Sequence, residues 1–231
     1  ASIDEMLGFS KEFLSRFFAV TTPVILHEGL WAGGVTLYLI AYGKMGTDAL
    51  AAAQITTQTI KELFQVAGLG IGSACAVMIG NKIGEGKEKI AIEYAKVFSI
   101  LTIVLGVVLG IALYLSSPII TMLFDVNQAT KENIQNILIV VSATMPINMY
   151  SLVLIIGILR GGGDTKFSLY LEAVCVWLAG VPLAFLGVLW LKLPIYWTVA
   201  LVSVEEIVKC IVGYFRIHSG KWIRNVIQGM D

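Results

Sequence analysis

The sequence predicts an all-α membrane protein, a bundle of about six transmembrane helices. The mean hydropathy is +0.84, and 57% of the residues are hydrophobic while only 14% are charged. In a soluble domain, about a quarter of the residues are charged. The apolar runs reach the length of about 20 residues that a helix needs to cross hydrocarbon. They do not alternate with period two, so the strands of a membrane barrel are disfavoured.

Six apolar spans are predicted, separated by five polar or glycine-containing connections that end the helices. They cover roughly residues 17–41, 49–80, 91–115, 134–158, 167–191 and 195–216. The connections are residues 43–48, the polar run 81–93, the stretch 116–133, the glycine turn 160–164 and the segment 192–194. The glycine turn offers Asp164 or Thr165 as the N-cap of the fifth helix. Residues 1–231 are therefore expected to form a single six-helix lobe.

Lysine and arginine residues are unequally distributed between alternate ends of these spans. One side has three of them, Lys44, Lys131 and Lys192, and the other has eleven. The eleven are Lys11, Arg16, Lys82, Lys87, Lys89, Lys96, Arg160, Lys166, Arg216, Lys221 and Arg224. Because the cytoplasmic ends of membrane helices are enriched in lysine and arginine, the second side is predicted to be cytoplasmic. Both termini are then cytoplasmic, and the expected location is a prokaryotic plasma membrane.

Ionisable side chains in the first span are the leading candidates for function, because such groups inside a membrane usually face a cavity or a partner. Glu28 lies about 16 Å along the helix from Phe17, near the membrane midplane. A desolvated carboxylate at that depth is expected to exchange a proton for a cationic ligand, and His27 is expected to share the proton. The alternative is that Glu28 only pairs with a neighbouring helix and that His27 is a packing residue.

A polar stripe follows one face of the second span. Gln54, Gln58, Lys61, Glu62 and Gln65 recur at spacings of three and four residues, which places them on one side of a helix. Polar groups surrounded by lipid must face protein or water. We expect this stripe to form a cavity wall, with Gln58 and Lys61 as binding residues. A hydrogen-bonded seam between helices is the alternative.

Two adjacent acids, Glu205 and Glu206, lie in the last span. Lys209 follows Glu205 by four residues, a spacing that favours an internal salt bridge. Glu206 is then the less compensated acid and a second candidate for cation coupling. Glu172 in the fifth span is expected to lie only about 9 Å from Lys166 and to be solvated from the inner side.

Patterns typical of enzymes, metal sites and nucleic-acid binding do not occur. The sequence has no HExxH or phosphate-binding motif in a suitable context. The cysteines, Cys75, Cys175 and Cys210, lie in apolar runs without the spacing of a zinc site or a disulfide framework. The net charge is zero, so no field favours nucleic acid. We predict no enzymatic activity, cofactor or metal site, and a lipid bilayer as the surroundings.

Four segments occur in a characteristic order. They are Pro23 with Glu28 in the first span, MGTDALAAA at 45–53, IGNKIGEG at 79–86 and LRGGGDTK at 159–166. Their order and spacing resemble the C-terminal six-helix lobe of the multidrug and toxic compound extrusion (MATE) family over nearly the whole chain. The segment at 159–166 is the most specific of the four.

The resemblance implies a twelve-helix antiporter with two six-helix lobes around a central cavity. An N-terminal six-helix lobe is thus expected as the partner of this chain, which begins with Ala1 rather than Met. It also implies export of small cationic amphiphilic compounds in exchange for H⁺ or Na⁺. Sodium-coupled relatives can have an acid where this sequence has Met149 beside Asn148. Proton coupling through Glu28, together with Glu206, is therefore preferred.

Two alternatives stay open at this point. Within transport, the protein can be a flippase for a lipid-linked or anionic substrate, which favours a more cationic cavity, and Lys61 and Lys209 are consistent with that reading. Outside transport, the chain can be a truncated product or a membrane partner without transport activity of its own. The ionic character of the cavity separates the first alternative from cation export.

Overall fold

A computed structural model describes residues 11–224, and every regular element in that range is helical. We number seven helices: α1 Lys11–Gly43, α2 Thr47–Gly84, α3 Glu88–Leu123, α4 Gln128–Leu159, α5 Thr165–Trp190, α6 Ile195–Val202 and α7 Val204–His218. The two chain termini, predicted to be cytoplasmic, lie outside the described residues. The ends of the predicted lobe 1–231 lie outside them as well.

The predicted fold class, an all-α bundle of about six membrane helices, is confirmed. Helices α1 to α5 each contain a stretch long and apolar enough to cross a membrane. The sixth predicted span, 195–216, corresponds to α6 and α7 together. They are separated at Ser203, whose hydroxyl donates a 2.9 Å hydrogen bond to the carbonyl oxygen of Val199. A serine that bonds back to its own helix in this way commonly bends it.

The third predicted span is too short, because it ends at residue 115 whereas α3 continues to Leu123. Two serines were expected to begin the connection, but their hydroxyl groups bond back within the helix. Ser116 donates to the Ala112 carbonyl at 2.7 Å, and Ser117 donates to the Tyr114 carbonyl at 2.8 Å. Their polarity is thus satisfied inside the helix, which removes the reason for a break.

Helices α3 and α4 pack closely because two glycines of α3 face the backbone of α4. A β-carbon on Gly106 would lie 2.5 Å from the Pro146 Cα atom, and one on Gly110 would lie 2.5 Å from the Ser142 carbonyl oxygen. Small residues allow such close approach in membranes, where lipid tails compete for the apolar faces. These two positions set the distance between the helices.

Two apolar clusters hold the bundle together. One joins residues near 38–60 of α1 and α2 with 134–149 of α4 and with α6. The other joins the second half of α2 with the end of α4, the start of α5 and Trp222. The polar residues of α2 and α7 fall between these two clusters along the chain, so a gap between them is available to charged side chains.

Several helices contain π-helical turns, in which the backbone hydrogen bonds span one residue more than in an α-helix. Among the described residues these turns are Gln54–Ile60, Leu154–Leu159, Val176–Gly180 and Leu186–Trp190. Such turns are rare and occur frequently at functional sites. The first shifts the register of α2 just before Lys61, and the second ends immediately before Arg160.

The segment after α7 folds back onto the turn between α4 and α5. Trp222 is completely buried, and the Arg224 amide donates a 2.8 Å hydrogen bond to the Gly162 carbonyl oxygen. Asp164, predicted as a helix cap, makes no capping bond. Its buried carboxylate instead pairs with Arg216 at 2.7 Å and with Arg224 at 3.2 Å. We call this arrangement the tail clasp.

Replacing Gly106 by alanine is expected to destabilise the protein by about 1–3 kcal/mol, because the new methyl group meets backbone atoms that cannot rotate away. Gly70→Ala is the matched control, since a β-carbon at Gly70 has no atom within 4 Å. Thermal unfolding of the purified protein in detergent measures both. If the two variants unfolded at the same midpoint temperature, the close approach of α3 and α4 would not be what the stability of the protein depends on.

Candidate functional site

A cavity of about 700 Å³ lies among α1, α2, α4, α5 and α7, in the gap between the two apolar clusters. Its polar lining comes from every one of these helices. The polar and charged residues are His27, Glu28, Gln58, Thr59, Lys61, Glu62, Gln65, Asn148, Ser151, Glu172, Glu206 and Lys209. Apolar side chains, among them Trp31, Leu63, Val66 and Leu69, line the remainder. The lining therefore offers both charge and apolar surface.

A smaller cavity of about 100 Å³ adjoins the first. The two share part of their walls, including Gln58, Lys61 and Glu206. The smaller one adds Tyr38, Tyr42 and Glu205. The polar region thus continues from the main cavity toward the end of α1.

All five residues predicted as site residues line the main cavity: His27, Glu28, Gln58, Lys61 and Glu206. They come from α1, α2 and α7, so the fold brings together positions that are up to 179 residues apart in the chain, from His27 to Glu206. Their predicted roles in cation coupling and binding stay predictions.

Glu28 differs from its predicted environment. Its side chain is 55% exposed and makes a 2.8 Å salt bridge to Arg160 at the end of α4, whereas a desolvated carboxylate was expected. The π-helical turn Leu154–Leu159 directly precedes Arg160. The depth of a residue along its helix does not determine which side of the helix is covered. Glu28 faces open space rather than the interior of this bundle.

His27 is the buried neighbour of Glu28, with a side chain only 7% exposed. Its Nδ1 atom lies 2.8 Å from the Arg160 guanidinium, and its Nε2 atom lies 3.6 Å from a Glu172 oxygen. Because arginine can only donate hydrogen bonds, Nδ1 must be the acceptor. His27 therefore connects the exposed pair at the cavity to the buried charges behind it.

Lys209 is the centre of those buried charges, with a side chain only 2% exposed. Its Nζ atom lies 2.8 Å from Glu172, 3.2 Å from Glu206 and 3.6 Å from Glu205. The predicted Glu205 to Lys209 pair exists but is the longest of the three. Glu205 also accepts a hydrogen bond of 2.5 Å from the Tyr38 hydroxyl. Because Glu206 lies closer to Lys209 than Glu205 does, the expectation that Lys209 leaves Glu206 as the less compensated acid is wrong.

Glu172 was expected to be solvated, yet its side chain is 4% exposed. It lies between Lys209 and His27, and it is the functional candidate that sequence reasoning underestimated. A usable signal was present, because a lysine in the middle of an apolar span requires a carboxylate partner. Distance along the helix from Lys166 was the less informative criterion, since α7 covers that face of α5.

The polar stripe of α2 lies on the cavity wall. Lys61 and Glu62 are adjacent, and neither makes a hydrogen bond or salt bridge with any residue between 11 and 224. Gln58 donates a 3.3 Å hydrogen bond to the Thr57 hydroxyl. Lys61 and Glu62 are thus the charged groups of the cavity that are available to a ligand without first breaking an ion pair.

The cavity contains more acidic than basic side chains. Four glutamates, Glu28, Glu62, Glu172 and Glu206, line it together with two lysines, Lys61 and Lys209. Asn148, which adjoins Met149, donates a 2.9 Å hydrogen bond to the Thr144 carbonyl oxygen. Within residues 11–224, no group of three or more His, Cys, Asp or Glu residues is arranged to hold a metal ion.

The family model described as MatE matches residues 23–186, more than half of the chain. The chain belongs to the MatE family. This MatE chain is 26% identical to the probable multidrug resistance protein NorM of Pasteurella multocida, over 76% of the chain and 36% of that protein. It is 32% identical to the probable multidrug resistance protein NorM of Synechocystis, over 71% of the chain and 39% of that protein.

Another relative, the uncharacterized transporter YisQ of Bacillus subtilis, is 28% identical over 96% of the MatE chain and 49% of its own length. The chain thus spans between 36% and 49% of the length of these three relatives. Both the long apolar helices and the family indicate a multi-pass membrane protein.

Solved structures agree with the fold. One is described as the outward-facing conformation of a multidrug resistance MATE family transporter of the MOP superfamily. It superimposes with a TM-score of 0.79 over 90% of the MatE chain and 46% of its own, at 18% identity. A MOP superfamily transporter from Pyrococcus furiosus Vc1 also gives a TM-score of 0.79 at 18% identity. At this identity the likeness concerns the fold alone.

Replacing Lys209 by methionine is expected to destabilise the protein by about 3–5 kcal/mol, because it leaves the buried Glu172 and Glu205 and the partly buried Glu206 without their cation. Lys61→Met is the matched control and is expected to cost less than about 1 kcal/mol, since Lys61 has no ion pair to lose. Thermal unfolding in detergent is the measurement. The double variant Lys209→Met with Glu172→Gln is expected to recover part of the loss. If the stability losses of Lys209→Met and Glu172→Gln simply added in the double variant, the ion pair between the two residues would be contradicted.

Proposed function

We propose that the chain is one lobe of a two-lobe transporter that exports cationic amphiphilic compounds in exchange for H⁺ or Na⁺. The observation that carries this proposal is the acidic cavity, in which Glu28 and Glu62 face open space. A cationic group is attracted by the excess of glutamates, and the apolar wall formed by Leu63, Val66 and Leu69 suits the rest of an amphiphile. About 700 Å³ is within the range of drug-sized ligand sites.

A second, N-terminal lobe is proposed because the chain spans less than half of the relatives it resembles. Two lobes that rock about a shared site provide alternating access. The substrate site of the two-lobe transporter would then lie between the lobes, where the exposed carboxylate of Glu28 is accessible. The charge asymmetry of the connections supports cytoplasmic termini, and a prokaryotic plasma membrane is the proposed location. The relatives are described as transporters or multidrug resistance proteins, which favours transport over enzymatic chemistry.

Proton coupling is the preferred form of this exchange. Glu28 is the cavity acid proposed to bind either a proton or the substrate cation, and Glu206 is proposed as a secondary site. Asn148 and Met149 supply no carboxylate at the position where sodium-coupled relatives can have one. Na⁺ is an acceptable coupling ion only if oxygen ligands from the other lobe complete its coordination.

The second candidate is a flippase for an anionic or lipid-linked substrate. Lys61 favours it, because this lysine lines both cavities and has no hydrogen-bond or salt-bridge partner between residues 11 and 224. The excess of glutamates around it argues against a strongly anionic substrate. The two candidates therefore differ in the sign of the substrate charge.

Replacing Glu28 by glutamine in the full-length protein is expected to reduce efflux of a fluorescent cationic dye at least about tenfold, because the site loses its ionisable oxygen. Efflux from cells is the measurement, repeated across pH and sodium concentration. Glu93→Gln is the matched control: the same change at an exposed position outside the cavity.

Unchanged efflux by Glu28→Gln at normal expression would exclude Glu28 from coupling and binding. Transport of an anionic dye, lost in Lys61→Gln but retained in Glu28→Gln, would support the flippase instead. Dependence of wild-type efflux on the proton gradient, without dependence on sodium, is the expected outcome for the ion. If no charged dye is transported, the chain belongs to a membrane partner rather than a transporter.

A further inference from the structure

The acid proposed to bind the substrate cation is already bound to a cation of the protein. The Nη2 atom of Arg160 donates one hydrogen bond of 2.8 Å to Glu28 Oε1 and another of 2.8 Å to His27 Nδ1. The Arg160 side chain is only 15% exposed, whereas that of Glu28 is 55% exposed. The arginine thus approaches Glu28 from the protein side and leaves its other side open to the cavity.

His27 has the protonation state that this arrangement requires. Its Nδ1 atom accepts from arginine, so His27 is neutral and its proton is on Nε2. The buried Nε2 atom lies 3.6 Å from one Glu172 oxygen, which is too far for a hydrogen bond, and Lys209 binds the other oxygen at 2.8 Å. The Glu172 to Lys209 pair therefore faces the Nε2 side of the ring and leaves Nδ1 to accept from Arg160.

The two contacts of Arg160 differ in how accessible they are to a ligand. Its Nε atom is buried and has no hydrogen-bond partner, so the guanidinium is held by Glu28 and His27. His27 also lines the cavity, but its side chain is only 7% exposed. A ligand therefore reaches the carboxylate of Glu28, whose side chain is 55% exposed, more readily than the His27 ring. A competing cation would bind Glu28 and displace Arg160 from it, while Arg160 keeps its hydrogen bond to His27.

We propose that Arg160 is a specificity-determining residue, a tethered cation that occupies Glu28 when no substrate is bound and must be displaced by the positive group of the substrate. The inference rests on the proposed function, since it requires Glu28 to be the cation site. Displacement makes substrate binding a competition between two cations for one carboxylate. Compounds that cannot outcompete a guanidinium are excluded, and bound substrate is released when the arginine returns.

The test measures binding of tetraphenylphosphonium, a permanent monovalent cation, to the purified full-length protein by isothermal titration calorimetry at one pH. Arg160→Gln is expected to bind it about tenfold more tightly, because the competitor is gone. Glu28→Gln is expected to bind it at least about tenfold more weakly. In the double variant the gain from Arg160→Gln is expected to disappear, which a purely structural role would not produce.

Arg224→Gln is the matched control, because it removes an arginine from the tail clasp and leaves the cavity lining unchanged. Its affinity is expected to equal that of the wild type. If Arg160→Gln is not monodisperse on size exclusion, Arg160→Lys decides the question. A lysine ammonium is more strongly hydrated than a guanidinium and therefore competes less well for Glu28, so this variant is expected to tighten binding about threefold.

The inference about Arg160 would be overturned if the folded Arg160 variant bound the cation more weakly than the wild type or equally well while Glu28→Gln bound it more weakly. The proposed function would then still stand. Unchanged binding by Glu28→Gln would instead remove the cation site on which both proposals depend. A gain in affinity that persists in the double variant would also overturn the inference, because the arginine would then act on some other group.

Discussion

A lysine in the interior of a membrane bundle must keep its carboxylate partners, and in this protein Lys209 is where that constraint acts. Its ammonium is almost completely buried and binds glutamates from α5 and α7. Bringing these charges together fixes the facing sides of the two helices. Breaking such a pair costs more than forming it gains, because a lone buried charge has no solvent to stabilise it. The remaining polar contacts are arranged outward from this centre.

From Lys209 the contacts lead to Glu172, to His27, to Arg160 and finally to Glu28 at the cavity. Each step crosses from one helix to another. The chain of contacts therefore connects a fully buried ion pair to an exposed one through a neutral histidine. A network of this kind holds its members in defined orientations, since each group contacts the next one on a neighbouring helix. The exposed carboxylate at its end is the part that a ligand can reach.

Much of the helical architecture could be predicted from the sequence, whereas the ion-pair partners of the charged residues could not. Long apolar runs determine where the membrane helices lie, because lipid tolerates no other backbone arrangement of that length. Charged residues inside those runs indicated which positions face a cavity, and His27, Glu28, Gln58, Lys61 and Glu206 all line it. The partners depend on helix rotation and packing. For this reason neither the burial of Glu172 nor the reach of Arg160 followed from spacing along one helix.

The tail clasp connects the end of α4, which carries Arg160, with α7, which carries Lys209. Arg160 stands four residues before Asp164 in the chain, and Lys209 stands seven residues before Arg216, two turns earlier on α7. Because Asp164 is bound to Arg216, the end of α4 and the length of α7 are mechanically linked at one end. A tilt of either helix is therefore transmitted to the other, and it would move the Arg160 guanidinium and the buried Lys209 ammonium together.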